Sequence, residues 1–318
     1  MSVDIEATAD QQTAIAPKRR RSSRSWPQLQ RVRRATPPSP RALLISYALS
    51  VLSAMLIAVL VNLTVISQFQ HVTAQRSLYA ALRLSLAAGS APIGQTDVNG
   101  QLVVPGTPIA LLQIPAIGVD EVVVEGATSS QTRRAVGHSR DSPFPGQPGV
   151  SVLMGRQAAY GGVFGDLDRL RSGDLITVTT GQGISQYRVI GPRTGTVELP
   201  GLGADQGRLM LISASGLPFM PDGTVRVDAA LVTKAFPRPT PVFSSGALTS
   251  QEKPMAGDDS HAVLLSWLLE LLVVIAVGAV VAWHRWDRRA AWIIFLPLIL
   301  VTSLACADRI CDLLPNLV

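Results

Sequence analysis

The sequence predicts a small all-β domain, a barrel or a sandwich, held outside a membrane by three transmembrane α-helices. Three observations predict it. Apolar runs of bilayer-spanning length occur at 42–67, 262–283 and 290–307. Between the first two lies a series of short β-rich runs punctuated by Gly and Pro. Basic residues crowd the two places that such a topology puts in the cytoplasm.

The chain opens with a basic tail, residues 1–41, carrying nine Lys and Arg against Asp4, Glu6 and Asp10. That accounts for the whole net charge of +6; the rest of the chain balances. A nucleic-acid-binding module shows a basic face on a folded domain. Here the positives sit in a Ser/Pro-rich segment that reads as disordered, so no nucleic-acid partner is expected. Residues 42–67 contain no charged side chain. At about 1.5 Å per residue they extend roughly 39 Å, more than a hydrocarbon core of about 30 Å. The run is too long for a cleaved signal peptide and reads as an anchor over 42–68, its N-terminus cytoplasmic.

Residues 69–108 read as a membrane-proximal helix followed by a connection. Leu78, Leu82 and Leu86 fall at i, i+4 and i+8, a stripe for packing on the ectodomain or on a neighbour. From 109 to 235 the runs IALLQIPAI, EVVVEG, VSVLMG, LITVTT, QYRVIG, RLMLIS and VRVDAALV have strand length and strand composition. Residues 236–261, rich in Pro, Ser and Gly, read as a flexible linker. A second span, 262–283, a basic cytoplasmic loop, 284–289, a third span, 290–307, and an extracytoplasmic tail, 308–318, complete the chain. Glu270 lies inside the second span, where an acid is best explained by helix association. The lipid bilayer is thus one expected partner.

Both cysteines, Cys306 and Cys311, lie in or beyond the third span. The ectodomain therefore has no disulfide, thiol nucleophile or Cys metal site. Whether the two pair with each other stays open. Asp166, Asp168 and Asp174 have the spacing of turn and capping residues, and neither a metal site nor a cofactor is expected.

Several motifs stand in order. Leu112-Gln113-Ile114-Pro115-Ala116-Ile117-Gly118 is followed by Gly137-His138, a Pro-Gly-x-x-Gly run ending at Gly149, and a strand. Phe164 to Thr180 (FGDLDRLRSGDLITVTT), Gln186 to Val189 and Arg208 to Ala214 come next. Together they resemble the sortase family, nearest to actinobacterial, class E-like members, which share the helical stalk and a Gly-Thr-Pro approach (Gly106 to Pro108). The resemblance implies an eight-stranded barrel that cleaves a sorting signal through a thioacyl intermediate, using a cysteine, a histidine and an arginine.

This sequence departs at each of the three positions. Arg156 stands where the family has histidine, Ala214 where it has cysteine and Thr224 where it has arginine. Arg226, two residues on and so on the same strand face, is a candidate substitute for the last. An arginine keeps its proton and cannot act as general base. The resemblance therefore implies a sortase-like pseudoenzyme, a binding or scaffolding subunit of an envelope complex. Its groove candidates are His138, Arg156, Ser213, Ser215 and Arg226, and its expected partners are a surface or envelope membrane protein or a peptide in the groove. A sortase-type transpeptidase or hydrolase rebuilt on Ser213 or Ser215 with His138, and a purely structural subunit whose groove is filled by its own loops, with Leu217 to Pro221 the candidate filler, are the alternatives.

Overall fold

The computed structural model describes residues 39–194, 200–285 and 288–318. The basic tail up to residue 38 and the centre of the 284–289 loop lie outside the described residues. The chain divides into two units, Met1–Ser46 and Tyr47–Val318. The first contributes, among its described residues, only the opening turns of a helix; the contacts described below are those of the second.

The anchor and stalk are helical throughout: α1 (Pro40–Val61), a π-helical turn (Asn62–Ile66) and α2 (Ser67–Ala87). The widened turn falls where Asn62 and Thr64 interrupt the apolar run. Asn62 there donates to the Cys311 Sγ at 3.4 Å, and Ser67 donates to the Leu63 carbonyl at 2.6 Å. The predicted stripe on α2 packs onto the domain: Leu78 and Leu82 are buried with Val122, Val124 and Ala135, and Leu86 lies against them.

The domain is a closed eight-stranded barrel, formed by β1 (Pro108–Ile114), β2 (Val119–Glu125), β3 (Val136–His138), β4 (Gly149–Met154), β5 (Leu175–Thr180), β6 (Gly183–Thr194), β7 (Gly207–Leu217) and β8 (Met220–Leu231). Around the barrel the order is β1-β2-β3-β4-β7-β8-β6-β5. The β2/β3 and β4/β7 pairs are parallel and the others antiparallel. Closure leaves no exposed sheet edge. A single turn of helix, α3 (Ser129–Thr132), precedes β3.

Alternation along the strands fills the interior with Ile109, Leu153, Ile176, Val178, Tyr187, Leu209, Leu211, Val225, Val227 and Ala229. The opposite parity of β4 and β7 faces outward, presenting Met154, Ile212 and Ala214 as a separate apolar surface. Seven strand runs were legible in the sequence. The eighth strand, β3, has three residues, too few to show a period.

The linker is held along the barrel wall. The Phe236 amide donates to the Gly146 carbonyl, Gln95 bonds the Val242 and Phe243 amides, and Arg140 lies 4.3 Å over the Phe243 ring. It leads to α4 (Ala262–Arg285) and α5 (Arg288–Leu313). Three helical stretches, Leu52–Ala87, Ala262–Ala282 and Ile293–Leu313, are long and apolar enough to cross a membrane. The start of α4 and the end of α5 lie together beside the barrel, with the Asp258 amide bonded to the Asp312 carbonyl at 3.0 Å.

Candidate functional site

The parallel β4/β7 ladder ends with Met154 opposite Ile212, and the Gly155 amide donates to the Ile212 carbonyl at 3.1 Å. The chain therefore delivers Arg156 beside the end of β7. Gly155 is required by close packing: a Cβ there would lie 2.6 Å from the Phe164 ring. On the other side of β7, Ala214 stands opposite Thr224 and Ile212 opposite Arg226. The three positions singled out from the sequence, Arg156, Ala214 and Thr224, thus border one region of the outer barrel face. Arg226 shares the face of Thr224, and its Nε is buried without a hydrogen-bond partner among the described residues.

Arg156 is 1% exposed, the largest wholly buried side chain of the described residues. Its Nη1 donates to the Val318 carbonyl at 2.8 Å, and its Nη2 donates to the Ser129 hydroxyl at 2.7 Å. The guanidinium also lies 5.0 Å over the Tyr160 ring. Burial pushes its pKa down to about 10, Tyr160 working against that shift and Arg133 with it. At neutral pH it remains a cation, able to donate and not to accept a proton.

This outer-face region is covered by the chain itself. After α5, residues 314–318 turn back onto the barrel, and Leu317 and Val318 pack with Ala127, Met154, Ile212 and Ala214. The Leu217–Pro221 hairpin, the segment named from the sequence as a groove filler, projects outward, with Leu217 69% and Met220 73% exposed. Read from the sequence, residues 308–318 have no role beyond an extracytoplasmic tail. Leu314, Leu317 and Val318, apolar residues in an otherwise extramembrane segment, were the one signal.

His138 is fully buried. Its Nδ1 meets Glu125 at 2.8 Å, and its Nε2 meets the Pro143 carbonyl at 3.1 Å and the Ser142 hydroxyl at 3.0 Å. Burial alone would lower its pKa, but the charge and hydrogen bond of Glu125 outweigh that and raise it. Among the described residues neither Ser213 nor Ser215 is a partner of His138. Ser213 has the parity of Leu209 and Leu211, is fully buried, and its hydroxyl has no partner among the described residues. Ser215 donates to Asp222 at 2.9 Å at the exposed end of the strand.

The arginines near Arg156 do not converge on one anion site. Arg133 pairs with Asp308 and Asp312 of α5. Arg140 pairs with Glu252 at 3.6 Å. Arg134 is exposed on a cavity of about 670 Å³ between α2 and α3, also lined by Phe69, Thr73 and Tyr160. Asp166 pairs with Arg169 at 3.2 Å, and Asp174 accepts the Arg171 amide at 2.8 Å, as turn residues do. Among the described residues no three His, Cys, Asp or Glu side chains gather as metal ligands would. Cys306 and Cys311 are both free.

The sortase domain model matches residues 112–213. Sortase D of Bacillus subtilis (strain 168) is 29% identical over 85 residues, 27% of this chain. The match spans 41% of that curated relative's length. Among solved structures, a sortase D5 transpeptidase of Clostridium perfringens aligns at 20% identity and TM-score 0.42, over 51% of this chain and 99% of that one. Sortase E1 of Streptomyces coelicolor, solved with a tripeptide in its active site, aligns at 22% identity and TM-score 0.37, over 42% of this chain and 92% of that one.

Proposed function

Residues 112–213 form a domain of the sortase family, and from that premise we propose that the chain is a sortase-like pseudoenzyme, a binding or scaffolding subunit of a cell-envelope complex. One observation carries the reading. Where the family's chemistry requires a thiol, an imidazole and a guanidinium, this barrel holds Ala214, Arg156 and Thr224 around one outer-face region. Arg156 is committed to the carbonyl of Val318 and to Ser129, and it has no basic lone pair to offer a nucleophile. A serine substitute lacks support: Ser213 faces inward, Ser215 bonds Asp222, and His138 is engaged by Glu125.

The purely structural version of this reading gains support from the covered groove. Partners would then meet the stalk, the spans or the outer barrel wall. Glu270 is exposed on α4 within the second span, with no hydrogen bond or ion pair among the described residues. A lipid-facing carboxyl is costly, and a neighbouring membrane helix bearing a donor would relieve it. The orientation that fits is the one read from the basic residues: N-terminus in the cytoplasm, barrel outside the cytoplasmic membrane.

The test is turnover. The full chain in detergent micelles, incubated with fluorescence-quenched sorting-signal peptides and hydroxylamine as acceptor, is expected to give no cleavage above buffer. Cleavage abolished by Ser213→Ala or Ser215→Ala would establish the serine enzyme instead.

A further inference from the structure

Two features of the groove have no place in a catalytic reading. One is a wholly buried arginine with no Asp or Glu partner among the described residues. The other is the segment 314–318, which leaves the third span and folds back onto the barrel. Each explains the other.

Pro315 forces Leu314 out of the helical region, ending α5 at Leu313. The Val318 amide then donates to the Pro315 carbonyl at 3.1 Å, closing a turn. That turn puts Leu317 and Val318 against Met154, Ile212 and Ala214, where both are 1% exposed or less. Main-chain recognition accompanies the apolar contact: the Gln157 amide donates to the Leu317 carbonyl at 2.8 Å, as Arg156 does to that of Val318. The Asn316 side-chain amide donates to the carbonyls of Ala127 at 2.7 Å and Lys253 at 3.0 Å. An aliphatic pocket, two main-chain bonds and a side-chain amide clamp are the parts of a peptide-binding site. Arg156 supplies what an imidazole at that position lacks, a fork whose two nitrogens reach Val318 and Ser129 together. Ala214 has a methyl group where a bulkier residue would compete with the segment for space.

We propose that the groove is a peptide-binding site whose ligand is this chain's own segment 314–318. The ligand class is an Asn-led turn followed by two aliphatic residues, bound in cis, and its binding fastens the third span to the barrel. The inference deepens the non-catalytic reading, since it takes Arg156 and Ala214 as groove residues. The two fail separately, one by peptide turnover and the other by the exchange experiment that follows.

Hydrogen exchange of the full chain in detergent micelles reads the segment directly. The amides of Gln157, Asn316 and Val318 are expected to exchange at least a hundredfold slower than unstructured peptide. Arg156→Ala and, from the ligand side, Leu317→Asp should each accelerate these amides at least tenfold while Leu209 and Leu211 in β7 stay protected. If Arg156→Ala loses the barrel, Leu317→Asp decides alone, because Leu317 belongs to no strand. Unprotected Asn316 and Val318 amides in the wild type would overturn the proposal, and so would unchanged exchange in Leu317→Asp.

Discussion

At the residue scale, His138 and Ser213 show how burial fixes what a reactive side chain can do. His138 is enclosed with Glu125, so its protonated form is stabilised in the folded state and its pKa is raised. A group of that kind contributes stability that is fully present below its unfolded pKa, about 6.5, and is lost as pH rises through the folded value. Wild type should therefore exceed Glu125→Gln in thermal stability most at pH 6 and below, with the gap narrowing above that folded value. A gap that is flat between pH 6 and 9 would mean the pair is not ionic. Ser213 has the opposite problem, a buried hydroxyl with no partner among the described residues. Ser213→Ala should leave stability unchanged or raise it, by about 1–3 kcal/mol if the whole desolvation penalty is recovered. A denaturant or thermal melt checks this, and a marked loss of stability would reveal a hydrogen bond that Ser213 makes after all.

Among the elements, the stalk and the strands were legible because they carry long periodic signals. Leu78 and Leu82 announced a packing stripe, and the structure seats both on β2. Leu82 is 1% exposed, so Leu82→Ala should cost about 2–5 kcal/mol and loosen α2 from the barrel. Protease cutting near Arg83 would then quicken, whereas Leu84→Ala, on the exposed side, should change nothing. Arg156, Ala214 and Thr224 were picked out by register alone, since a strand motif fixes register once its neighbours are recognised. What could not be read is what touches them. The parallel ladder that brings Gly155 beside Ile212 joins strands far apart in sequence, whereas Ala214 opposite Thr224 belongs to the local β7/β8 hairpin. The contact between Arg156 and Val318 spans 162 residues and has no local signature. Arg133 gave no sign that its partners would be Asp308 and Asp312, because a lone arginine on a loop looks the same whether paired or solvated. β3 was missed for a different reason: its three residues are held by β2 and β4, not by their own propensity.

For the whole molecule, the barrel receives the stalk on β2 and the segment after α5 on β4 and β7, so orientation can be judged from either. The ion cluster of Arg133, Asp308, Asp312 and Arg309 joins the barrel to the end of the third span. That places the start of α4 and the end of α5 on the barrel side; in the proposed topology α4 and α5 cross and return. In the proposed topology, a single crossing before the barrel and two after it are expected to leave the basic tail across the membrane from the barrel. That side is proposed to be the cytoplasm, on the strength of the tail's basic residues. In a variant with Cys306→Ala and Cys311→Ser, a new thiol at exposed Thr240 (Thr240→Cys) should react with a membrane-impermeant maleimide on intact cells. One in the tail (Ser22→Cys) should react only after lysis. Labelling of Ser22→Cys from outside would invert the topology and move the barrel into the cytoplasm. An envelope scaffold would then be untenable, because a barrel on the wrong side of the membrane meets neither surface proteins nor their sorting signals.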